Sequence, residues 1–573
     1  SAPSYHRGEV NQVAGYRDRL VHTSGSCPAI AIDPERSNTI LATISNKDGF
    51  NRTWIGGFLL KSVDGGWNWD AVYHKHGLPD GVVRAIAIDP KSPVQNRVVY
   101  VASFGNGIYK SEDGANTFFE VMGKETLGDN TRVMDIVISK NNTKILYAAV
   151  GGSIGIRPLL RGPAGYPPMK PGAYGGVFRS SDAGKTWEKL NAKTELPNVQ
   201  KLCVHPFDDN IIYAALYDDS YFDKDDREHV PGGVYRSDNG GQDWSLMFQP
   251  PIDPFYGKGY VCSMVLNPVA PEIMYVAVER HGVYGTTDGG STWYQLGKKS
   301  MDKMQRRYFS INVNPHNVAE VWVAHFGSSF SKITDTVAQA HLESKFKDAN
   351  LVYNGDFQEM DAVTGFLRYW QYQEPPRVEG EEPVVTISSD GVTGQCVRFN
   401  LTQAYADADS LYPAEQEQRR LQDLGQIPVD HAWMKDAENV GETRSYLKQK
   451  IQPYFVSLAR GRKVKIEMDI FITCRNPRSW WMLWSEACEA ERFPPQLYVS
   501  EIRDYNVNWV IAETYIDDEY QQPEQYMGKW VRVSSEGYVS NEALGLNIVV
   551  TGVDAYSNSM DVKVDNVSLK IMD

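Results

Sequence analysis

Five segments of this chain repeat one pattern, and that repeat restricts the fold more than any other feature. The pattern is Ser or Thr first, Asp third, Gly fifth and an aromatic residue eighth. The segments are Ser62-Val-Asp64-Gly-Gly66-Trp-Asn-Trp69, Ser111-Glu-Asp113-Gly-Ala115-Asn-Thr-Phe118, Ser180-Ser-Asp182-Ala-Gly184-Lys-Thr-Trp187, Ser237-Asp-Asn239-Gly-Gly241-Gln-Asp-Trp244 and Thr286-Thr-Asp288-Gly-Gly290-Ser-Thr-Trp293. The aromatic positions are separated by 49, 69, 57 and 49 residues, a period that belongs to a propeller or a solenoid. The Asp side chain can accept from the N–H groups of a tight turn, Gly supplies a positive φ, and the ring fills the space between neighbouring repeats.

The sequence around each segment is also constant. A strand ends near Pro (AIAIDP, KLCVHP, MVLNP, INVNP) and a second follows (VVYVASF, IIYAALY, IMYVAVE, VWVAHF). A third, led by Gly, runs into the repeated segment, and a short fourth closes the unit. Four short antiparallel strands make a propeller blade. Six units start near residues 29, 85, 134, 200, 262 and 309, and the sixth lacks the repeated segment. Residues 5–24 are expected to return a strand that closes the ring, because an open propeller exposes two edges. The expected fold is all-β, a propeller of six blades with seven as the alternative.

Composition excludes several classes. The 573 residues carry 58 Lys+Arg against 72 Asp+Glu, a formal charge of −14, which does not suit a nucleic-acid backbone. No apolar run reaches the roughly 20 residues of a membrane-spanning helix. The 6 Cys show no CxxC or Cys/His spacing, so zinc is not expected. The 14 Trp and 32 Tyr are the informative excess: rings beside hydrogen-bonding side chains suit a sugar-binding surface, although strand-rich cores also use Tyr.

The five segments resemble the Asp-box (bacterial neuraminidase) repeat, and the resemblance covers residues 1–335. That superfamily includes sialidases, the xyloglucanase family of glycoside hydrolases, the sortilin luminal domain and plant photosystem assembly factors. The stretch GNGIYKSEDG after AIAIDP looks closest to the xyloglucanases. The resemblance implies a ligand site over the central axis, built from the loops between second and third strands and those between blades. The sialidase Arg triad is not visible, which disfavours sialic acid.

Residues 336–349 read as a polar linker with a short helix. Residues 350–573, with a charged insertion near 405–447, open on Asn354-Gly355-Asp356-Phe357-Gln358 and close on Val564-Asp565-Asn566-Val567. With Gly528-Lys-Trp530 between them, these resemble carbohydrate-binding jelly rolls of the family 4/9/22 type, so a β-sandwich is expected to follow the propeller. The resemblance implies a structural calcium held by the residue after the Phe and by the closing Asp, here Gln358 and Asp565. Gln358 replaces the usual Glu, which leaves calcium open; no other cofactor is expected. Trp480, Trp484 and Trp509 are the candidate stacking rings of this module, with bracing of the propeller as the alternative role.

The propeller loops carry the candidate chemistry. Glycoside hydrolysis needs one protonated and one ionised carboxyl flanking the bond. Asp48 on one side of the ring and Asp218, Asp219 or Glu279 on the other meet that need. In the xyloglucanase pattern a catalytic Asp closes the second strand of the first blade; here that strand reads Ala42-Thr-Ile-Ser45, and the nearest carboxylate is Asp48. The family's second catalytic Asp comes from a second propeller, which this chain lacks. Trp54, Arg157, Tyr221, Arg227, His229, Tyr256, Arg280 and His325 are candidate substrate contacts. A second reading is a lyase on uronate-containing glycan, with His281 or Tyr256 as base and Arg280 or Arg227 as neutraliser. The third is a propeller that binds glycan or protein without turnover. The expectation is an exported, secreted or periplasmic glycoside hydrolase acting on a carbohydrate polymer or oligosaccharide.

Overall fold

The computed structural model describes residues 29–47, 54–72, 76–79, 82–128, 130–151, 175–190, 196–216, 230–253, 257–258, 261–279, 281–297, 308–325, 330–361, 364–373, 383–400, 444–474, 493–503, 508–516, 528–554 and 560–572. The chain divides into two compact units, one of residues 1–314 and 318–339, the other of residues 315–317 and 340–573.

The first unit is a β-propeller. Its described residues form six successive antiparallel blade sheets whose strands pair in chain order, and a two-stranded hairpin of Ile252–Asp253 with Gly257–Lys258 between the fourth and fifth. The first sheet comprises Ile30–Ile32, Ile40–Lys47, Trp54–Ser62 and Asp70–Val72. The second comprises Val82–Ile88, Val99–Phe104, Gly107–Ser111 and Phe119–Met122. The third comprises Val133–Ile138, Leu146–Val150, Gly176–Ser180 and Glu188–Lys189. The fourth comprises Val199–Val204, Ile212–Leu216, Gly233–Ser237 and Ser245–Phe248. The fifth comprises Val261–Leu266, Met274–Val278, Gly282–Thr286 and Tyr294–Leu296. The sixth has three described strands, Tyr308–Asn314, Asn317–His325 and Phe330–Thr334. From the second sheet to the sixth, the first strand of each sheet packs on that of its neighbour, which makes them the inner layer. The closing strand expected within 5–24 lies outside the described residues.

The hydrophobic core lies between sheets. Leu41, Leu59 and Val72 of the first sheet join Val83, Val99, Val101 and Phe118 of the second. The same interleaving recurs between second and third, third and fourth, and fourth and fifth sheets, where Trp187, Trp244 and Trp293 enter. Part of the tyrosine content is spent here. Tyr100, Tyr147, Tyr213 and Tyr275, each second in its sheet's second strand region, are buried, and the Tyr100 hydroxyl donates to the Ala183 carbonyl of the next sheet at 2.8 Å.

The repeated segments are the turns between third and fourth strands, and all five share one bonding pattern. In the third sheet the Ser180 hydroxyl donates to Asp182 Oδ1 (2.8 Å) and accepts from the Gly184 N–H (2.9 Å). Asp182 in turn accepts from the Thr186 N–H (2.9 Å) and hydroxyl (2.6 Å). The pattern recurs at Ser62–Asp64, Ser111–Asp113, Ser237–Asn239 and Thr286–Asp288. The fifth position holds φ between 84° and 94° where it is Gly, and Ala115 takes φ 68° in the same place. A non-Gly residue there costs about 1 kcal/mol, which the shared hydrogen bonds offset.

The sixth sheet runs into a helix, Thr336–Lys345. Asp335 caps it: its Oδ1 accepts from the Val337 and Ala338 N–H groups, while Oδ2 accepts from the Tyr294 hydroxyl at 2.7 Å.

The second unit is a β-sandwich of two five-stranded antiparallel sheets. One runs, in spatial order, Gln371–Gln373, Arg444–Lys450, Gly545–Asp554, Phe493–Ile502 and Asn508–Ile516. The other runs Val385–Ser388, Cys396–Asn400, Met560–Ile571, Lys463–Cys474 and Trp530–Tyr538. Leu447, Leu497, Ile548 and Val550 of the first and Phe399, Ile466, Ile470 and Val564 of the second are all buried. The alternate residues of the second sheet face outward as a charged ladder, with Arg398 bidentate on Asp561 (2.7 Å twice).

Candidate functional site

Antiparallel pairing sets the start of each inner strand beside the loop between second and third strands, as Val82 opposite Phe104 and Val261 opposite Val278 show. The candidate ligand face is therefore the end where the inner strands begin. Four inner strands carry a bulge there, directly after the first pair in the third, fourth and fifth sheets and after the second pair in the second sheet, which leaves Met134, Gln200, Cys262 and Arg84 as the extra residues. A bulge twists its strand and re-aims the side chains beside it.

The residues that follow the bulges tie neighbouring sheets together. Asp135, 1 % exposed, accepts from the Lys201 ammonium at Oδ1 (2.9 Å) and from the Leu202 N–H at Oδ2 (3.0 Å). Between the fifth and sixth sheets, Ser263 Oγ accepts from the Ile311 N–H. Burial works against the Lys201 charge, but the Asp135 carboxylate outweighs it and holds the pKa above the ordinary lysine value; Arg84 acts against that rise. Burial also pushes the Cys203 thiol, two residues along the strand, up to about 12.

Between the second and third sheets the rim is fixed by main-chain bonds. Gly105 and Gly107 N–H donate to the Thr131 carbonyl, the Thr131 hydroxyl donates back to Gly105, and Asn130 Nδ2 donates to the Gly151 carbonyl. Arg132 lies 5.8 Å from the Phe104 ring centroid.

Of the expected catalytic residues, Glu279 and His281 are described, and both sit at this end, directly after the strand Met274–Val278. Glu279 is buried, at 7 % exposure. The His281 main chain bonds to Val278 through its N–H, and its carbonyl accepts from Gln295 Nε2. Trp54 begins the third strand of the first sheet and His325 ends the second strand of the sixth, so their main chains also lie at this end. Asp48, Arg157, Asp218, Asp219, Tyr221, Arg227, His229, Tyr256 and Arg280 lie outside the described residues, as do Trp480 and Trp484 of the sandwich. Sequence reasoning missed Asp135, Lys201 and Arg84. The signal was available: each is a charge inside or beside an otherwise apolar inner strand (RAIAI, VMDIVI, KLCV).

In the sandwich, Trp509 is 51 % exposed, and the Arg503 guanidinium stands 5.3 Å from its ring centroid. Asp565 is fully buried; Oδ2 accepts from the Thr393 N–H (3.0 Å) and Oδ1 from the Asn566 N–H (2.7 Å). Burial nevertheless raises its carboxyl above the ordinary value. Gln358 contacts main-chain atoms of Asp356 and Gln395. Among the described residues no group of three or more His, Cys, Asp or Glu side chains gathers as a metal set.

No family model matches this chain. A 139-residue stretch is 30 % identical to a protein of Neosartorya fischeri named a probable oligoxyloglucan-reducing end-specific xyloglucanase. That stretch is 24 % of this chain and 14 % of the relative. Among solved structures, the GH74 xyloglucanase of Xanthomonas campestris aligns at 13 % identity and TM-score 0.39, over 55 % of this chain and 44 % of that one. An ancestral GH74 enzyme aligns at 18 % identity and TM-score 0.38, over 54 % and 36 %. YCF48 bound to D1 peptide aligns at 13 % identity and TM-score 0.34, over 55 % and 80 %. The propeller assignment rests on the strand pairing itself.

Proposed function

We propose that this chain is an exported glycoside hydrolase that acts on a polysaccharide or oligosaccharide at the loop end of its propeller, with the sandwich as an accessory carbohydrate-binding module. The 139-residue match to a xyloglucanase carries this reading and makes xyloglucan the first substrate to test. The reaction needs an acid and a base or nucleophile on either side of the glycosidic bond. Asp48, Asp218, Asp219 and Glu279 are the carboxyls assigned to that task, and Arg132 beside Phe104 offers a hydrogen-bonding and apolar contact on the same rim.

The test is release of reducing ends from xyloglucan oligosaccharides and from a panel of plant and algal polysaccharides, with unsaturated-uronate absorbance followed in parallel. Hydrolysis predicts reducing ends without the absorbance, lost in Asp48→Asn and kept in His281→Ala with both variants folded. Absorbance that disappears in His281→Ala would establish a lyase. Glycan binding with neither product would leave the recognition reading.

A further inference from the structure

The geometry points to a closing corner of the sandwich held by a neutral side-chain amide in the place of a cation, so that this unit folds without calcium. The resemblance noted above implies an acidic residue after the opening Phe, drawn with the closing Asp around a dication. Here that residue is Gln358, and its neighbours fix which way its amide points. The Gln395 N–H donates to one amide atom at 3.2 Å, which must then be the oxygen. The other atom faces two carbonyls, those of Gln395 (3.1 Å) and Asp356, and an NH2 group is what two carbonyls can both accept from. A flipped amide would set oxygen against both carbonyls and NH2 against an N–H.

Two main-chain oxygens that converge on one point are a usual part of an oxygen-only calcium site, which needs 6–8 such ligands. The Gln358 NH2 group occupies that point. The Asp565 carboxylate is spent elsewhere, on the Thr393 N–H and hydroxyl and on the Asn566 N–H. Gly391 lies against it: a Cβ there would come within 2.8 Å of both Asp565 Oδ2 and the Gln395 carbonyl oxygen. The Gln395 side-chain oxygen is buried without a hydrogen-bond partner, but a lone neutral oxygen does not replace the missing carboxylate charge. A Glu at 358 would point an anionic oxygen at the two carbonyls, and a cation would then be required to hold all three.

The experiment is thermal unfolding of the full chain in chelator and in millimolar calcium, with calorimetric calcium titration, for wild type and Gln358→Glu. Calcium should raise the midpoint of Gln358→Glu by roughly 5 °C more than that of wild type, with a calcium-binding event that wild type lacks. Adding Asp565→Asn to Gln358→Glu should remove the gain; if that double variant does not fold, the titration of Gln358→Glu against wild type decides alone. A wild-type calcium response that Asp565→Asn abolishes would overturn the proposal. So would a Gln358→Glu variant that responds to calcium no more than wild type does.

Discussion

Lys201 and Asp135 join two propeller sheets across 2.9 Å, at the end where the inner strands begin. The carboxylate is 1 % exposed and the lysine side chain 36 %. The pair therefore sits between a surface bridge and a buried one. Removing one partner of a buried pair costs about 3–5 kcal/mol, because the other charge is left without compensation; partial solvent access to Lys201 brings the expected loss for Lys201→Met down to about 2–3 kcal/mol. Asp135→Asn should cost less, since the amide oxygen can still accept from the Leu202 N–H. Denaturant unfolding of both variants checks the order. The folded pKa of Lys201 lies above its ordinary value. The pair's stabilisation is therefore complete at neutral pH and is lost only as pH rises past the ordinary lysine range, so wild type and Lys201→Met should converge in strong alkali.

The repeated turns predict acid sensitivity with a built-in exception. Asp64, Asp182 and Asp288 are held down to about 2, Asp64 and Asp288 chiefly by hydrogen bonds from the residue four places on. At Asp182 burial opposes the shift, and the Thr186 and Ser180 hydroxyls outweigh it. A depressed carboxyl contributes stability above its unfolded pKa and loses it as pH falls through the folded one. The midpoint for urea unfolding should therefore drop between about pH 4 and pH 2. Asn239 holds the same place in the fourth turn, so that turn cannot titrate; Asn239→Asp should steepen the acid limb and Asp288→Asn should flatten it.

Ser180 tests the hydroxyl that the repeat places first. It is 2 % exposed and serves the buried Gly184 N–H as acceptor. Ser180→Ala leaves that donor without a partner, at a cost of about 1–3 kcal/mol. Ser180→Thr, the residue the fifth turn uses at Thr286, should recover most of it in the same unfolding assay.

The fold was legible because its signals are local and repeated. Six unit starts expected near 29, 85, 134, 200, 262 and 309 stand against observed inner strands that begin at Ile30, Val82, Val133, Val199, Val261 and Tyr308. A turn such as Ser180 to Trp187 closes within eight residues, so spacing alone reveals it. The Ser hydroxyl as the hub of that turn was not anticipated, because Asp looked the better acceptor. The candidate site was less legible. Asp135 and Lys201 are distant in sequence, and only sheet packing brings them together; a bulge that shifts register by one residue leaves no pattern in composition. Glu279 and His281 stand at the end where the inner strands begin because they follow directly on a strand whose direction the repeat dictates.

Cysteine chemistry should be silent at two positions. Burial pushes both the Cys203 and Cys396 thiols up to about 12, with nearby Asp390 and Asp565 adding to the effect at Cys396. The thiolate is the reactive form, so at pH 8 each should be present as about one part in ten thousand of the ionised species. Iodoacetamide at that pH, read by peptide mass spectrometry, should leave both unmodified in the folded chain and alkylate both after denaturation. Rapid modification of Cys203 in the native protein would show that the inner strand of the fourth sheet is open to solvent.

Trp509 decides whether the sandwich contributes binding. Its ring is half exposed, braced by the Arg503 guanidinium, which in turn pairs with Glu501, a fully buried carboxylate that also accepts from the Ser540 N–H at 2.9 Å. A ring held this way keeps its conformation without a ligand, which lowers the entropy lost on stacking against a sugar. Trp509→Ala should leave the thermal midpoint within about 1 °C, since an exposed ring contributes little to the core. Retardation of the protein in polysaccharide-containing native gels should fall at least several-fold. Arg503→Ala should weaken retardation less and destabilise more, because it strips Glu501 of its cation. Equal retardation of wild type and Trp509→Ala would mean that this ring takes no part in glycan binding, and that the sandwich acts through other residues or only braces its partner.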